Sequence, residues 1–121
     1  MSLSAEGGIR EAINRYAEGM ETSNVEILKE AFHQQAILCG YLDDEMIAAP
    51  IEGLYDWVSS NSAPEVFNLS ILAIEVAGRV AAATARETDS HSEVIDYFHL
   101  LKGGDRWLIV SKLWDAKPAK K

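Results

Sequence analysis

The order of sequence patterns predicts an α+β fold, in which a curved, mostly antiparallel sheet wraps around three N-terminal helices. Helical periodicity dominates the first half of the chain, and strand-like alternation of apolar residues dominates from residue 66 onward. The segment 93–114 has the form of a hairpin closed by two glycines. A curved sheet that is covered by helices on its concave side encloses a pocket, so we expect a small-ligand cavity.

The three helices are indicated by spacing and by their end signals. Apolar residues recur at i, i+3, i+4, i+7, i+8 and i+11 from Ile9 to Met20, which places them on one helical face. The tetrapeptide beginning at Ser23 has the form of a capping box, and it predicts a short second helix that continues through Phe32. Pro50 suits the first turn of a third helix.

Six strands are predicted around these helices. Two short strands flank the acidic turn at 43–44, and a loop at 61–64 follows the third helix. A tight turn at Gly78 joins the next two strands, and a polar loop at 89–92 leads to the final hairpin. The first four strands are expected at 36–42, 45–49, 66–77 and 80–87.

The final hairpin carries an acid and a base on an otherwise apolar strand face. With a turn centred on Gly104, Asp96 is predicted to face Lys112. A charge is costly to bury unless it is paired, so these two residues mark either a structural ion pair or a binding site. The same register pairs the neighbouring residues as Phe98 with Val110, Leu100 with Leu108, and Val94 with Trp114.

Composition excludes several classes of function. The 121 residues are enough for a single domain, 1–121, and the net charge of −8 disfavours binding to nucleic acid. One cysteine, Cys39, excludes an intramolecular disulfide and suits a reducing compartment. No apolar run suggests a membrane span or a signal peptide, so we expect a cytoplasmic protein. Histidine spacing predicts no metal site, and the absence of a Gly-rich phosphate loop predicts no cofactor.

Several motifs together resemble the nuclear transport factor 2-like superfamily, and within it the lumazine-binding branch. They are the run from Asp96 to Lys102, the run from Gly104 to Lys112, and two short motifs, Asn14-Arg-Tyr16 and Ala31-Phe-His33. The resemblance covers about residues 8–115 and leaves 116–121 as a flexible tail. It implies the cone-shaped fold of ketosteroid isomerase and SnoaL-like cyclases. Because that fold hosts enzymes, carriers and protein-binding modules, it does not select a function.

The resemblance to ketosteroid isomerase implies catalytic positions. The oxyanion-hole tyrosine of that enzyme falls on Tyr16, and its protonated aspartic acid falls on Asp96. Its general base falls on Gly40, which cannot abstract a proton, so the isomerase mechanism is not expected to transfer. If the protein is an enzyme, the catalytic candidates are Asp96, Lys112 and Tyr16, with Lys112 or His33 as base. The Tyr16 hydroxyl is expected to donate to a ligand oxygen or to Asp96.

Three functions stay open, in the order binder, proton-transfer enzyme and interaction module. The first is a dimeric pocket protein for a small apolar or aromatic molecule with a polar group. The second is an isomerase, cyclase or dehydratase. The predicted ligand-binding residues are Met20, Phe32, His33, Trp57, Phe98, Val110 and Trp114.

A homodimer is expected through the outer face of the sheet. The resemblance implies this arrangement, and a half-apolar outer face would otherwise be an exposed patch. The alanine-rich strand at 81–85 is expected to allow close approach of the partner. The outer face is predicted to carry Tyr97, His99, Leu101, Ile109, Ser111 and Leu113.

Overall fold

The computed structural model describes residues 4–90 and 92–118. His91 of the predicted polar loop and residues 119–121 of the predicted tail lie outside this part of the chain. The described residues form three helices and six strands. In chain order they are α1 (Ala5–Glu21), α2 (Val25–Ala31), β1 (Phe32–Leu42), β2 (Glu45–Pro50), α3 (Glu52–Ser60), β3 (Phe67–Ala77), β4 (Val80–Asp89), β5 (Ser92–Gly103) and β6 (Arg106–Pro118).

The six strands form one curved, unclosed sheet in the order β2-β1-β6-β5-β4-β3. Strands β1 and β6 run parallel, and every other neighbouring pair is antiparallel. The predicted α+β fold, a mostly antiparallel sheet around three helices, is therefore confirmed. Strand β6 continues to Pro118, beyond the predicted end of the core, and Ala116 is buried beside its β1 partner Leu42.

The start of α2 differs from the prediction. Its N-cap is Asn24, whose side-chain oxygen accepts a hydrogen bond from the Ile27 N–H at 3.2 Å. The preceding Ser23 has a φ of 51° and forms part of the tight reversal between α1 and α2, so the predicted capping box is wrong. The helix also ends one residue earlier than predicted, because Phe32 is already extended and begins β1.

The core lies between the apolar face of α1 and the concave face of the sheet. Ile9, Ile13 and Tyr16 of α1 are fully buried, as the helical spacing predicts. The Tyr16 ring makes edge contacts with Phe32 of β1 and Phe98 of β5, with ring centres 5.9 and 5.3 Å apart. These edge-to-face pairs fix the tyrosine ring against the middle of the sheet.

The final hairpin has a different register from the predicted one. Its turn is at 104–105, where Gly104 has a φ of 67°, and Val110 is an extra residue in β6. Leu100 pairs with Ile109, whereas His99 pairs with Ser111. As a result the predicted pairs are wrong, and the pairs on the inner face are Leu100 with Ile109, Phe98 with Lys112 and Asp96 with Trp114.

The expected place of Ile109 on the outer face is also wrong. Ile109 is fully buried in the core, because the bulge at Val110 places it on the same side as Lys112. In the alanine-rich strand, Ala81, Ala83 and Ala85 are buried on the inner side. These three side chains belong to the core, whereas Ala82 between them is exposed on the outer face.

Candidate functional site

A cavity of about 880 Å³ lies between α3, the loop at 61–65 and the inner face of the sheet. This volume is within the range of small-molecule pockets. Its charged lining residues are Glu65, Glu87, Asp89 and Lys112. Most of the wall is apolar, and it is formed by Met20, Leu38, Leu42, Ile47, Ala49, Leu54, Trp57, Val58, Phe67, Val94, Trp114 and Ala116.

A cluster of four polar side chains lies at the inner end of this cavity, and two of them, Glu87 and Lys112, line it; we call it the floor cluster. It consists of Tyr16 from α1, Glu87 from β4, Asp96 from β5 and Lys112 from β6. The strand register explains why they meet. Asp96 pairs with Ala85 on one side and with Trp114 on the other, so Glu87 and Lys112 are its diagonal neighbours on the inner face.

Asp96 and Lys112 form a buried ion pair. Lys112 Nζ lies 3.2 Å from Asp96 Oδ1, and Asp96 is 0% exposed. The predicted contact is confirmed, although it is diagonal rather than directly across the two strands. Lys112 Nζ also lies 4.1 Å from the ring centre of Trp114, which adds a cation–π contact. Both Asp96 oxygens are buried from solvent, and Lys112 is the counter-charge in contact with this carboxylate.

Tyr16 is bonded to Glu87 and not to Asp96, which corrects the expected partner. The Tyr16 hydroxyl donates to Glu87 Oε1 at 2.5 Å, and the tyrosine is 0% exposed. Burial, followed by the nearby charges of Glu87 and Asp96, raises the pKa of Tyr16 well above its ordinary value of 10.0. The phenol therefore keeps its proton at neutral pH and supports Glu87 from behind the cavity wall.

Glu87 is the carboxyl group of the floor cluster that lines the cavity. Burial and then the charge of Asp96 raise the pKa of Glu87 from 4.5 to about 7. Lys112 and the Tyr16 hydrogen bond act in the opposite direction, because both favour the ionised form. The cavity thus contains a carboxyl group that exchanges its proton near neutral pH.

Gly40 occupies the position that the resemblance assigns to a general base. A Cβ atom built at Gly40 would lie 2.4 Å from both the Trp114 carbonyl oxygen and Trp114 Cδ2. Any side chain there would collide with Trp114, the residue that pairs with Gly40 across β1 and β6. The indole of Trp114 therefore occupies the space that the side chain of a general base at position 40 would need.

The structure separates the predicted site residues into three groups. Met20, Trp57, Lys112 and Trp114 line the cavity. Tyr16, Phe32, Asp96 and Phe98 are buried behind its wall and do not line it.

His33 and Val110 form the third group, because they lie away from the cavity. His33 Nδ1 accepts a hydrogen bond from the Gln35 N–H in β1. Val110, the bulge residue, lines a separate groove that also contains His99 and Leu101.

Glu87 was missed by the sequence analysis. The signal was present, because strand alternation places Glu87 on the same face as Ala81, Ala83 and Ala85. Because the alanine-rich strand is expected from the sequence on the outer face, the acid at its end is not predicted in the cavity.

The described residues contain neither a metal-binding cluster nor a membrane-spanning helix. Within 4–90 and 92–118, no three His, Cys, Asp or Glu side chains are placed to hold a metal ion. Of the three described helices, none combines the length and the apolar character needed to cross a membrane.

The family follows from a match over nearly the whole chain. The model of the family described as putative lumazine-binding matches residues 4–115. The chain belongs to this family. Among curated proteins, this family member is similar to the aldolase FrzH of Cladobotryum sp., with 24% identity over 105 residues, covering 85% of this chain and 84% of the relative.

Solved structures place the family member in the nuclear transport factor 2-like superfamily. A nuclear transport factor 2-like protein of unknown function from Methylobacillus flagellatus is 32% identical, with a TM-score of 0.87, and covers 97% of this chain and 98% of that chain. A second such protein, from Shewanella baltica, is 29% identical, with a TM-score of 0.86 and 94% coverage of both chains. The expected superfamily and its lumazine-binding branch are therefore confirmed.

Proposed function

We propose that this protein binds a small, mostly apolar molecule whose polar group contacts Glu87 and Lys112. The observation that carries the proposal is a cavity of about 880 Å³ whose apolar walls converge on a buried polar cluster. Apolar walls with a few convergent polar groups are typical of small-molecule sites. Membership in a family described as lumazine-binding supports a binding role, although it does not choose the ligand.

A pair of neighbouring substitutions on β2 tests this proposal. Ala49 lines the cavity, whereas Ala48 is exposed and does not line it. We expect Ala49→Phe to place an aromatic ring inside the cavity and to reduce thermal stabilisation by members of a small aromatic fragment library. The control Ala48→Phe should leave that stabilisation unchanged. Equal stabilisation of wild type and Ala49→Phe by the same fragments would contradict binding in this cavity.

Proton-transfer catalysis is the second candidate function, and Glu87 is the observation that favours it. A carboxyl group whose pKa lies near 7 can both accept and donate a proton at neutral pH. One relative is named an aldolase, and an aldol reaction in general requires removal of a proton next to a carbonyl group. On this interpretation Glu87 replaces Lys112 and His33 as the base, and Tyr16 positions it.

If the protein catalyses proton transfer, the Glu87 carboxyl must titrate near neutral pH. Side-chain ¹³C NMR of the ligand-free protein should show its carboxyl group titrating with a midpoint near pH 7. The Glu87→Gln spectrum should lack this titration and so assign the signal. A Glu87 carboxyl that is fully ionised at about pH 6 would leave the binding function as the better account.

We also propose that the protein acts in the cytoplasm as a homodimer formed through the outer sheet face. Tyr97 and Leu113 pair across β5 and β6 on that face, and they are 52% and 49% exposed. Exposed apolar patches of this kind commonly mark protein contacts. The single Cys39, which forms no disulfide within the described residues, suits a reducing compartment.

A further inference from the structure

Four charged residues of the described chain line the cavity, and two of them, Glu65 and Asp89, lie outside the floor cluster. Asp89 Oδ1 accepts hydrogen bonds from the Ser92 N–H at 2.8 Å and from the Ser92 hydroxyl at 3.2 Å. Glu65 is an exposed residue, so water solvates its carboxylate. Neither carboxylate therefore depends on a charged ligand for a partner.

The other two charged lining residues, Glu87 and Lys112, are balanced within the floor cluster. Lys112 Nζ lies 3.2 Å from Asp96 Oδ1, so a buried carboxylate matches its positive charge. Glu87 accepts the hydrogen bond of Tyr16, and burial followed by the Asp96 charge raises the pKa of Glu87 to about 7. With Glu87 protonated, the charges of the floor cluster sum to zero.

A fully charged ligand group is disfavoured beside this cluster whichever sign it has. An anion at Lys112 would also approach Asp96, which already pairs with the same ammonium. A cation at Glu87 would approach Lys112, whose positive charge acts on Glu87. Moving a charge from water into a mostly apolar cavity costs free energy unless a partner offsets it. A neutral ligand avoids this cost.

Lys112 can nevertheless donate a hydrogen bond to a neutral ligand. Its ammonium group has three N–H donors, of which Asp96 Oδ1 is within reach of one. The Trp114 ring centre lies 4.1 Å from Nζ and provides a cation–π contact on another side. The Lys112 side chain is 9% exposed and lines the cavity, so a ligand that enters displaces water from it. Without an acceptor on the ligand, a charged donor would lose its hydrogen bond to water, which is costly.

We propose that the ligand is a neutral molecule with an apolar body and a carbonyl group, and that the carbonyl oxygen accepts a hydrogen bond from Lys112 Nζ. The inference rests on the proposed binding function and adds the chemical class of the ligand. A carbonyl oxygen suits this place because it accepts a hydrogen bond without bringing a donor that needs a partner of its own. No covalent bond changes.

Four probes that share a naphthalene body test the proposal. The neutral ketone is 2-acetylnaphthalene, and 2-isopropenylnaphthalene has a methylene group in place of the ketone oxygen. The anion 2-naphthoate and the cation 2-naphthylmethylammonium carry the two charges. Fluorescence titration of the full-length protein at about pH 7 gives the four dissociation constants. We expect the ketone to bind at least about tenfold more tightly than either ion.

A double variant removes the donor without leaving a buried charge unpaired. Asp96→Val together with Lys112→Met replaces both members of the ion pair by apolar side chains, a change that buried pairs commonly tolerate. The affinity ratio of the ketone to its isopropenyl isostere should fall at least about tenfold relative to wild type, because a hydrogen bond to a charged donor is lost. The control Lys102→Met removes an exposed lysine of β5 that does not line the cavity, and it should keep the wild-type ratio.

A measurement on the wild-type protein decides the matter if the double variant does not fold. The ¹³C resonance of a ketone carbonyl moves downfield when its oxygen accepts a hydrogen bond. Because most of the cavity wall is apolar, a bound carbonyl without a donor should resonate near its position in an alkane solvent. We expect carbonyl-labelled 2-acetylnaphthalene, bound next to Lys112, to resonate at or downfield of its position in water.

Each contrary outcome has a separate meaning. If either ion binds more tightly than the ketone, the neutral ligand is excluded while the proposed binding function stands. If the double variant keeps the wild-type ratio, or the bound carbonyl resonates near its alkane position, Lys112 is excluded as the donor. If none of the four probes binds, the inference fails together with the interpretation of the cavity as a site for aromatic molecules.

Discussion

The two faces of the β5–β6 hairpin reverse the usual distribution of residues. On the inner face, Asp96 and Lys112 are charged and buried. On the outer face of the same strands, Tyr97 and Leu113 are large, apolar and about half exposed. A protein that only needed a stable fold would place these residues the other way round. Fold stability alone therefore does not explain the residues on either face of this hairpin.

The largest effect is expected from breaking the ion pair of the inner face. Lys112→Met keeps much of the side-chain volume but leaves Asp96 buried without a counter-charge, which should cost about 3–5 kcal/mol of unfolding free energy. Urea unfolding at about pH 8 measures this loss. The control Glu6→Gln breaks the exposed Arg10–Glu6 pair on α1 and should cost less than about 1 kcal/mol. A similar small cost for both variants would show that Asp96 is not held by Lys112.

A smaller effect on the inner face depends on pH. The pKa of Glu87 is about 7 in the folded protein and 4.5 ordinarily, so the folded state holds this proton more tightly. Its contribution to stability is complete below about pH 4.5 and is lost as the pH rises to about 7. Relative to Glu87→Gln, the unfolding free energy of the wild type should fall by on the order of 2–3 kcal/mol between about pH 4.5 and pH 7. Above this range it should then become constant.

Unfolding free energies of wild type and Glu87→Gln, compared at each pH, test this difference because other titrating groups cancel. The exposed variant Glu75→Gln on β3 provides the control and should show a flat difference over the same range. A difference that stays flat between about pH 4.5 and pH 7 would mean that the Glu87 carboxyl is already ionised in the folded protein over this range.

The smallest effect on the fold is expected on the outer face. Leu113→Glu places two carboxylates near each other in a symmetric dimer and should weaken association at least tenfold. The unfolding free energy of the monomer should change by less than about 1 kcal/mol, because the side chain is half exposed. Light scattering across a dilution series measures the dimer. The variant Asn14→Glu on the exposed side of α1 is the control, and an unchanged dimer in Leu113→Glu would exclude this face as the interface.

The sequence predicted the fold well because its signals are local and regular. The spacing from Ile9 to Met20, the turn at Gly78 and the alternation along β5 each follow from one element considered alone. The ion pair was also predictable, since a lone acid and a lone base on apolar strand faces require a partner.

Other features of the site depend on contacts that one element does not reveal. The turn at 104–105 and the extra residue Val110 each shift the register by one position, and no local signal indicates the bulge, so the predicted partner of Asp96 was wrong by two positions. Burial and then the charge of Asp96 raise the pKa of Glu87, and Lys112 and Tyr16, from two further elements, oppose this rise. The collision at Gly40 likewise depends on the parallel pairing of β1 with β6.

The extra residue at Val110 has a consequence for how related chains should be compared. One residue more or fewer in this strand exchanges inward and outward positions beyond it, so that Ser111 instead of Lys112 would point at the cavity. A gap misplaced here in an alignment would pair Lys112 with a residue that is not its structural equivalent. The lysine would then be counted as absent in one relative and as present in another where the cavity lacks it. Whether a relative has the equivalent of Lys112 should therefore be judged from superposed backbones that share the bulge, and not from residue identity alone.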